Sequence, residues 1–171
     1  MSLALAAQGR VWWCAQGDWL PYSFDVWSPH NSQHLVDPYL FTHVLHGVVF
    51  YAVARLLLGA GRFRHRLMAA VVVESLWELV ENSQFIIDKY RESTVSLDYN
   101  GDSIANSVAD IAAMVGGFLL AGTLPVWGSV VFFFVVEAIL IWWIRDSLLL
   151  NVIMLTVPIE AIKQWQMKGM P

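Results

Sequence analysis

From Val126 to Ile144 the chain carries a single ionisable side chain, Glu137. A stretch of that length and polarity buries its backbone hydrogen bonds within itself and fits the hydrocarbon core of a bilayer, about 30 Å thick. Comparable apolar runs occupy Tyr39–Ala60, Leu67–Ile87 and Ser103–Thr123. The sequence therefore predicts an all-α polytopic membrane helix bundle of four spans. A further apolar run, Leu148–Ile159, contains Asn151 and Pro158 and is short, so it reads as a re-entrant, interfacial or short tilted fifth segment. Composition agrees: 14% of the 171 residues are charged and mean hydropathy is +0.55, whereas soluble domains carry about 25% charged residues. A net charge of -4 excludes a nucleic-acid binder. Cys14, the single cysteine, excludes an internal disulfide framework.

The connection Gly61–Arg66 holds Arg62, Arg64 and Arg66, with Arg55 able to snorkel towards it, and the positive-inside rule makes it cytoplasmic. The connection Asp88–Asp102 is acidic on balance and falls on the outer side. Residues 1–38, with Asp18, Asp25 and Asp37, belong there too, as an aromatic segment (Trp12, Trp13, Trp19, Tyr22, Phe24, Trp27) ahead of the bundle at 39–171. Met1–Ala7 is apolar with no basic residue before it, which predicts neither a cleavable signal peptide nor a span. Trp142 and Trp143 mark the outer end of the fourth span.

Polar residues inside the spans cluster at that outer side. His43 and His46 share one helix face, Glu74, Glu78, Glu81 and Asn82 a second, Asp102, Asn106 and Asp110 a third. His46, Glu81 and Asp110 each lie about seven residues from an outer helix end, roughly 10 Å deep at 1.5 Å per residue. A charge facing lipid costs about 2.5 to 3.5 kcal/mol or more, so the three faces are expected to meet in a pocket. Imidazoles and carboxylates on facing helices are ligands for Zn, Fe or Mn. His43, His46, Glu78, Glu81 and Asp110 are the predicted metal ligands, with Glu78, Glu81 and His43 as acid/base groups. His34, Asp37, Asn82, Asp102, Asn106 and Arg145 are the predicted substrate contacts.

That pattern fits a metal-assisted hydrolase or transferase acting on a membrane lipid or lipid-linked substrate. A metal-free Glu/His acid/base pair uses the same residues, and hydrogen bonding among them could equally serve to hold a bundle together. Small size and many aromatics also suit an accessory subunit of a larger membrane complex. A carrier would need polar residues at both depths, and these lie at one. Of the remaining residues, Glu137 reads as a helix contact, Glu160 as a residue near the inner interface, His65 as part of the basic loop and Cys14 as an ordinary thiol with no basic neighbour in sequence. Ala113, Gly116, Gly117 and Ala121 read as a close helix contact.

Several short motifs occur in one order: Asn31-Ser32-Gln33-His34, Asp37, Thr42-His43 and His46-Gly47; Glu74, Trp77-Glu78 and Glu81-Asn82-Ser83; Tyr90-Arg91-Glu92, Leu97-Asp98-Tyr99, Gly101-Asp102-Ser103, Asn106-Ser107 and Asp110. Leu124-Pro125-Val126-Trp127, Ile144-Arg145-Asp146, Leu150-Asn151 and Pro158 to Trp165 follow. Over residues 31–165 this order resembles a bacterial inner-membrane family, uncharacterised protein family 0314 (domain of unknown function 2585). The resemblance implies a multi-pass protein of the bacterial inner membrane and brings no activity with it. It also implies a spanning helix ahead of the counterpart of Gly9-Arg10, of which Met1–Ala7 would be the end.

Overall fold

The computed structural model describes residues 1–93 and 98–169, and within them the chain is helical with no β-strand. Part of the predicted outer connection, residues 94–97, lies outside the described residues, as does Leu97 of the motif series. The elements are α1 (Ser2–Ala7), α2 (Leu40–Leu58), α3 (Phe63–Glu81), α4 (Gln84–Ser93), α5 (Ile104–Thr123), α6 (Val126–Ile144), α7 (Leu148–Thr156) and α8 (Glu160–Met167).

The centre of the bundle is the contact between α2 and α5, where two glycines let the backbones touch. A Cβ on Gly47 would stand 2.0 Å from the Met114 carbonyl oxygen, and one on Gly117 would stand 1.9 Å from that of Val44. Close approach through small residues is how apolar helices associate where lipid removes the hydrophobic drive between them. The predicted small-residue contact is thus carried by Gly117, partnered by Gly47. Gly116 has open space around it, because it lies about 100° round the helix from Gly117.

α3 packs back along α2 in an antiparallel hairpin: Arg66 lies over the Tyr51 ring at one end and Glu74 meets His43 towards the other, while Phe63 meets Phe118 of α5 edge to face at 5.8 Å. Arg64 and Arg66, expected in the loop, belong to the first turn of α3. Arg66 is buried, its guanidinium 5.1 Å from the Tyr51 ring and 5.7 Å from that of Phe63, with one N–H donated to the Ala60 carbonyl.

Three helices, α2, α5 and α6, are long and apolar enough to cross a membrane, in place of the four expected. α3 has the length but carries Arg64, Arg66, Glu74, Glu78 and Glu81. The predicted second span, Leu67–Ile87, is also interrupted. α3 starts earlier, at Phe63, and stops at Glu81, because the Asn82 side chain donates to the Glu78 carbonyl (3.0 Å) and to the Asp102 carboxylate (2.7 Å). The apolar residues beyond it start α4, whose Ile87 is buried. α6 is apolar all round, with only Glu137, Leu140 and Ile144 buried, as befits a helix most of whose surface meets lipid.

The fifth apolar segment forms α7, nine residues and so about 14 Å long, too short to cross. Glu137 ties its start to α6: one carboxylate oxygen accepts from Leu148 N (3.0 Å), the other from Leu149 N (3.2 Å). These are helix N-terminal donors that otherwise lack partners. α8 then returns to the C-terminal end of α6, where Arg145 donates to the Trp165 carbonyl and Gln166 to Asp146. Tyr39 donates to Asp146 (3.0 Å), bringing the start of α2 to the same level.

The segment ahead of α2 covers the N-terminus of α5. Ser103, Ile104 and Ala105 donate their N–H groups to the carbonyls of Ser32 (3.0 Å), Val11 (2.8 Å) and Trp12 (3.2 Å). The Ser103 side chain caps the helix by accepting from Asn106 N.

Candidate functional site: a buried His/carboxylate cluster

His43 and His46, one turn apart on α2, both reach one carboxylate on α3. Glu74 Oε1 lies 2.6 Å from His43 Nδ1 and 2.9 Å from His46 Nδ1, and Oε2 is 3.1 Å from the latter. A carboxylate only accepts, so each Nδ1 carries the proton. In a neutral ring of this tautomer, Nε2 carries the lone pair. The His43 Nε2 atom faces Asp110 Oδ2 at 3.9 Å, and His43 Nδ1 also lies 3.6 Å from Glu78 Oε1. Glu74 and Glu78 are fully buried, and Asp110 is nearly so.

The Glu74 distances separate two roles. Ligands on a tetrahedral ion with bonds of 2.0 to 2.1 Å stand about 3.3 Å apart, so at 2.6 Å Glu74 is a hydrogen-bond partner that orients both rings. The neighbouring acids are differently placed. Glu78, beside the Ser107 hydroxyl, has no well-formed hydrogen bond at either oxygen, nor has Asp110 Oδ1 or Glu81 Oε2. Among the described residues, the cluster's ion pairs are to histidine, with no Lys or Arg neutralising these carboxylates. Buried acceptors without donors are costly unless a cation or a bound ligand meets them.

A cavity of about 230 Å³ opens beside the cluster. His43, His46, Glu81, Asp102 and Asp110 line it on one side, and α7 closes the other through Leu148, Asn151 and Leu155. The predicted ligands His43, His46, Glu78, Glu81 and Asp110 thus converge. The depth argument, however, left out Glu74, while Glu81 stands within ligand reach of His43 and Glu78, their ligand atoms within 4.8 Å of one another. Glu81 is the last residue of α3 and accepts from Tyr90 (2.8 Å), while Glu74, seven residues further in, meets the histidines. The spacing of Glu74 to Glu78 was the available signal for it.

Of the predicted substrate contacts, Asp102 lines the cavity. Its carboxylate accepts from Asn82 (2.7 Å) and Tyr99 (2.9 Å), and its N–H donates to Asn82 Oδ1 (2.7 Å). Burial pushes the Asp102 carboxyl up to about 6, against those hydrogen bonds, and burial and the Asp102 charge push Asp37 up to about 7. Asp37 caps α2 through Leu40 N (2.9 Å), and Asn106 links it to the His34 carbonyl. Asn82, Asn106 and Asp37 thus make internal contacts, with Asn106 Oδ1 left without a hydrogen-bond partner.

His34 and Arg145 do not line the cavity. Arg145 is held over the Trp165 ring at 5.5 Å. The His34 side chain instead faces His30 and Cys14, whose Sγ lies 3.5 Å from His30 Nδ1. Cys14 therefore has a histidine neighbour that its sequence surroundings do not show.

No solved structure matches this fold. A family model described as a protein of unknown function (DUF2585) matches residues 5–168. A protein of Paracoccus denitrificans called UPF0314 protein is 50% identical over 158 residues, covering 92% of this chain and 82% of that protein. Similar UPF0314 proteins occur in Agrobacterium fabrum, 47% identical over 95% of this chain and 82% of the relative, and in Sphingopyxis alaskensis, 41% identical over 99% and 90%. With a match over nearly its whole length and relatives at this identity, the chain belongs to the DUF2585 (UPF0314) family.

Proposed function

We propose that the protein is a metal-assisted hydrolase or transferase of the bacterial inner membrane, acting on a lipid or lipid-linked substrate from the outer side. One observation carries this reading: a buried carboxylate, Glu74, fixes two imidazoles beside Glu78 and Asp110 oxygens that have no well-formed hydrogen bond, at the wall of a cavity. His43, Glu78 and Glu81, whose ligand atoms lie within 4.8 Å of one another, would hold Zn, Fe or Mn, which supplies a Lewis acid and an activated water. Asp110, 3.9 Å from His43 Nε2, would move the proton, and Asp102 would meet the polar part of the substrate. Substrate would enter beside α7, whose Leu148, Val152 and Leu155 suit an acyl chain.

In the same reading α3 crosses alongside α2. The two are equally long, at 19 residues, and packed as a hairpin, with Arg66, Glu74 and Glu78 of α3 buried in the bundle interior. α7 and α8 then form a re-entrant unit on the outer side. Turnover tests the proposal: purified protein is incubated with a lipid extract of its own membrane and the species are followed by mass spectrometry. The expectation is consumption of a lipid or lipid-linked species that stops with a chelator and falls by about 10²-fold or more in Asp110→Asn. Unchanged lipid profiles with folded, metal-loaded protein would count against it.

A second reading, an accessory subunit of a larger membrane complex, is favoured by an open apolar groove of about 1020 Å³ between α2, α5 and α6, framed by Arg55, Leu56, Pro125 and Phe133. Its signature would be stoichiometric co-purification from native membranes, undisturbed by Glu78→Gln.

A further inference from the structure

Outside the bundle, two loops of the N-terminal segment meet. The first turns at Cys14–Gly17, closed by Gly17 N to the Cys14 carbonyl (3.1 Å), with Gly17 at φ +80°. The second runs through 28–34 and reverses at Ser32, φ +56°. Gln33 clasps them: its carbonyl accepts from Ala15 N (3.2 Å) and its amide donates to the Gly101 carbonyl (2.7 Å). The clasp brings together Cys14 Sγ, His30 Nδ1 and His34 Nε2.

These atoms are arranged as ligands. A carbonyl can only accept, so the 2.6 Å contact from His34 Nδ1 to Leu20 O puts a proton on Nδ1, and Nε2 turns to the other two, within hydrogen-bond reach of His30 Nδ1. A backbone carbonyl holding the far ring N–H in this way is the usual outer-shell partner of a metal-ligating imidazole. The Sγ to Nδ1 separation is 3.5 Å and the Nδ1 to Nε2 separation is 3.3 Å. Bonds of about 2.3 Å to sulfur and 2.0 to 2.1 Å to nitrogen give tetrahedral edges of about 3.5 and 3.3 Å. All three donor atoms lie within 4.8 Å of one another. Cys14 and His34 are buried, while the His30 side chain is 35% exposed and leaves a way in for an ion. The Asp18 carboxylate lies 4.0 Å from His30 Nδ1.

We propose that Cys14, His30 and His34 form a second metal site, for a zinc-class divalent ion, that staples the N-terminal segment over the start of α5. It is separate from the His43 cavity and does not depend on the function assigned there. Thiolate and imidazole suit Zn²⁺, and Asp18 or water completes four-coordination.

Cobalt(II) is the probe. Cys14 is the single cysteine, so a thiolate-to-cobalt charge-transfer band in the full-length, detergent-purified protein has one possible source. The proposal expects that band to saturate near stoichiometry, to vanish on adding Zn²⁺ and to be absent in Cys14→Ser. Its midpoint should weaken by about tenfold or more in His30→Ala, and stay unchanged in His43→Ala. As a second readout on the unmodified chain, Zn²⁺ should slow alkylation of the thiol. A folded wild type with no band and no protection overturns the proposal, as does an unchanged midpoint in His30→Ala.

Discussion

Asn82 and Asp102 bind each other twice. The amide donates to the carboxylate at 2.7 Å and accepts from the Asp102 backbone N–H at 2.7 Å, joining the end of α3 to the residue before the α5 cap. Both residues are buried, at 1% and 6% exposure. Asn82→Ala removes a donor and an acceptor together and leaves a buried carboxylate short of a partner, at a cost of about 2 to 4 kcal/mol. Unfolding in detergent measures this; a loss below about 0.5 kcal/mol would mean that water replaces the amide freely.

Gly47 and Gly117 set the distance between α2 and α5. Gly117→Ala drives a methyl into backbone, at 1.9 Å from the Val44 carbonyl oxygen, so the helices must separate. A loss of about 1 to 3 kcal/mol or more follows. Gly116→Ala meets nothing within 4 Å and should be neutral or slightly stabilising. Equal behaviour of the two variants, in thermal unfolding, would contradict the packing.

Glu137 holds the N-terminus of α7 through Leu148 and Leu149. Glu137→Ala should cost about 1 to 2 kcal/mol, and Glu137→Gln, which keeps one acceptor, should cost less. Hydrogen exchange locates the effect: protection should fall at α7 while α2 and α5 stay protected. A uniform loss would show that Glu137 acts on the bundle as a whole.

Stability should fall as pH rises through neutrality. Burial raises Asp146 from 3.8 to about 7, opposed by hydrogen bonds from Ser147, Tyr39 and Gln166, and raises Asp37 to about 7 and Asp102 to about 6. Each carboxyl holds its proton more tightly folded than unfolded. The resulting stabilisation is fully present below about pH 4 and is lost as pH climbs through 6 to 7. Asp146→Asn imitates the protonated acid: it should match the wild type at pH 5 and exceed it at pH 8. Melting midpoints at the two pH values decide the matter, and parallel shifts would remove Asp146 as a source.

The sequence predicts a span at Val126–Ile144, and α6 has those bounds, because a run of apolar residues closed by Pro125 and Arg145 leaves little choice. The second span was misread for a non-local reason. Phe85-Ile86-Ile87 continues the apolar pattern, and what ends α3 is the grip of Asp102 on Asn82, twenty residues away in the chain. That error moved the depth scale of α3 and left Glu74, which meets both histidines, out of the predicted ligands. The meeting of Cys14 with His30 was illegible too, since it depends on two loops without periodicity, clasped by Gln33. Hydropathy reports which segments enter the membrane; it does not report which side chains end helices or close loops.

Elemental analysis tests the central claim most directly. The protein is purified gently in detergent as Cys14→Ser, which silences the N-terminal thiol, and beside it as the same variant with His43→Ala and His46→Ala, each checked by helical signal and elution profile. The account predicts near-stoichiometric Zn, Fe or Mn in the first and its loss in the second while the fold persists. Metal absent from the folded first protein, or retained in the second, would contradict a metal site at His43, Glu78 and Glu81.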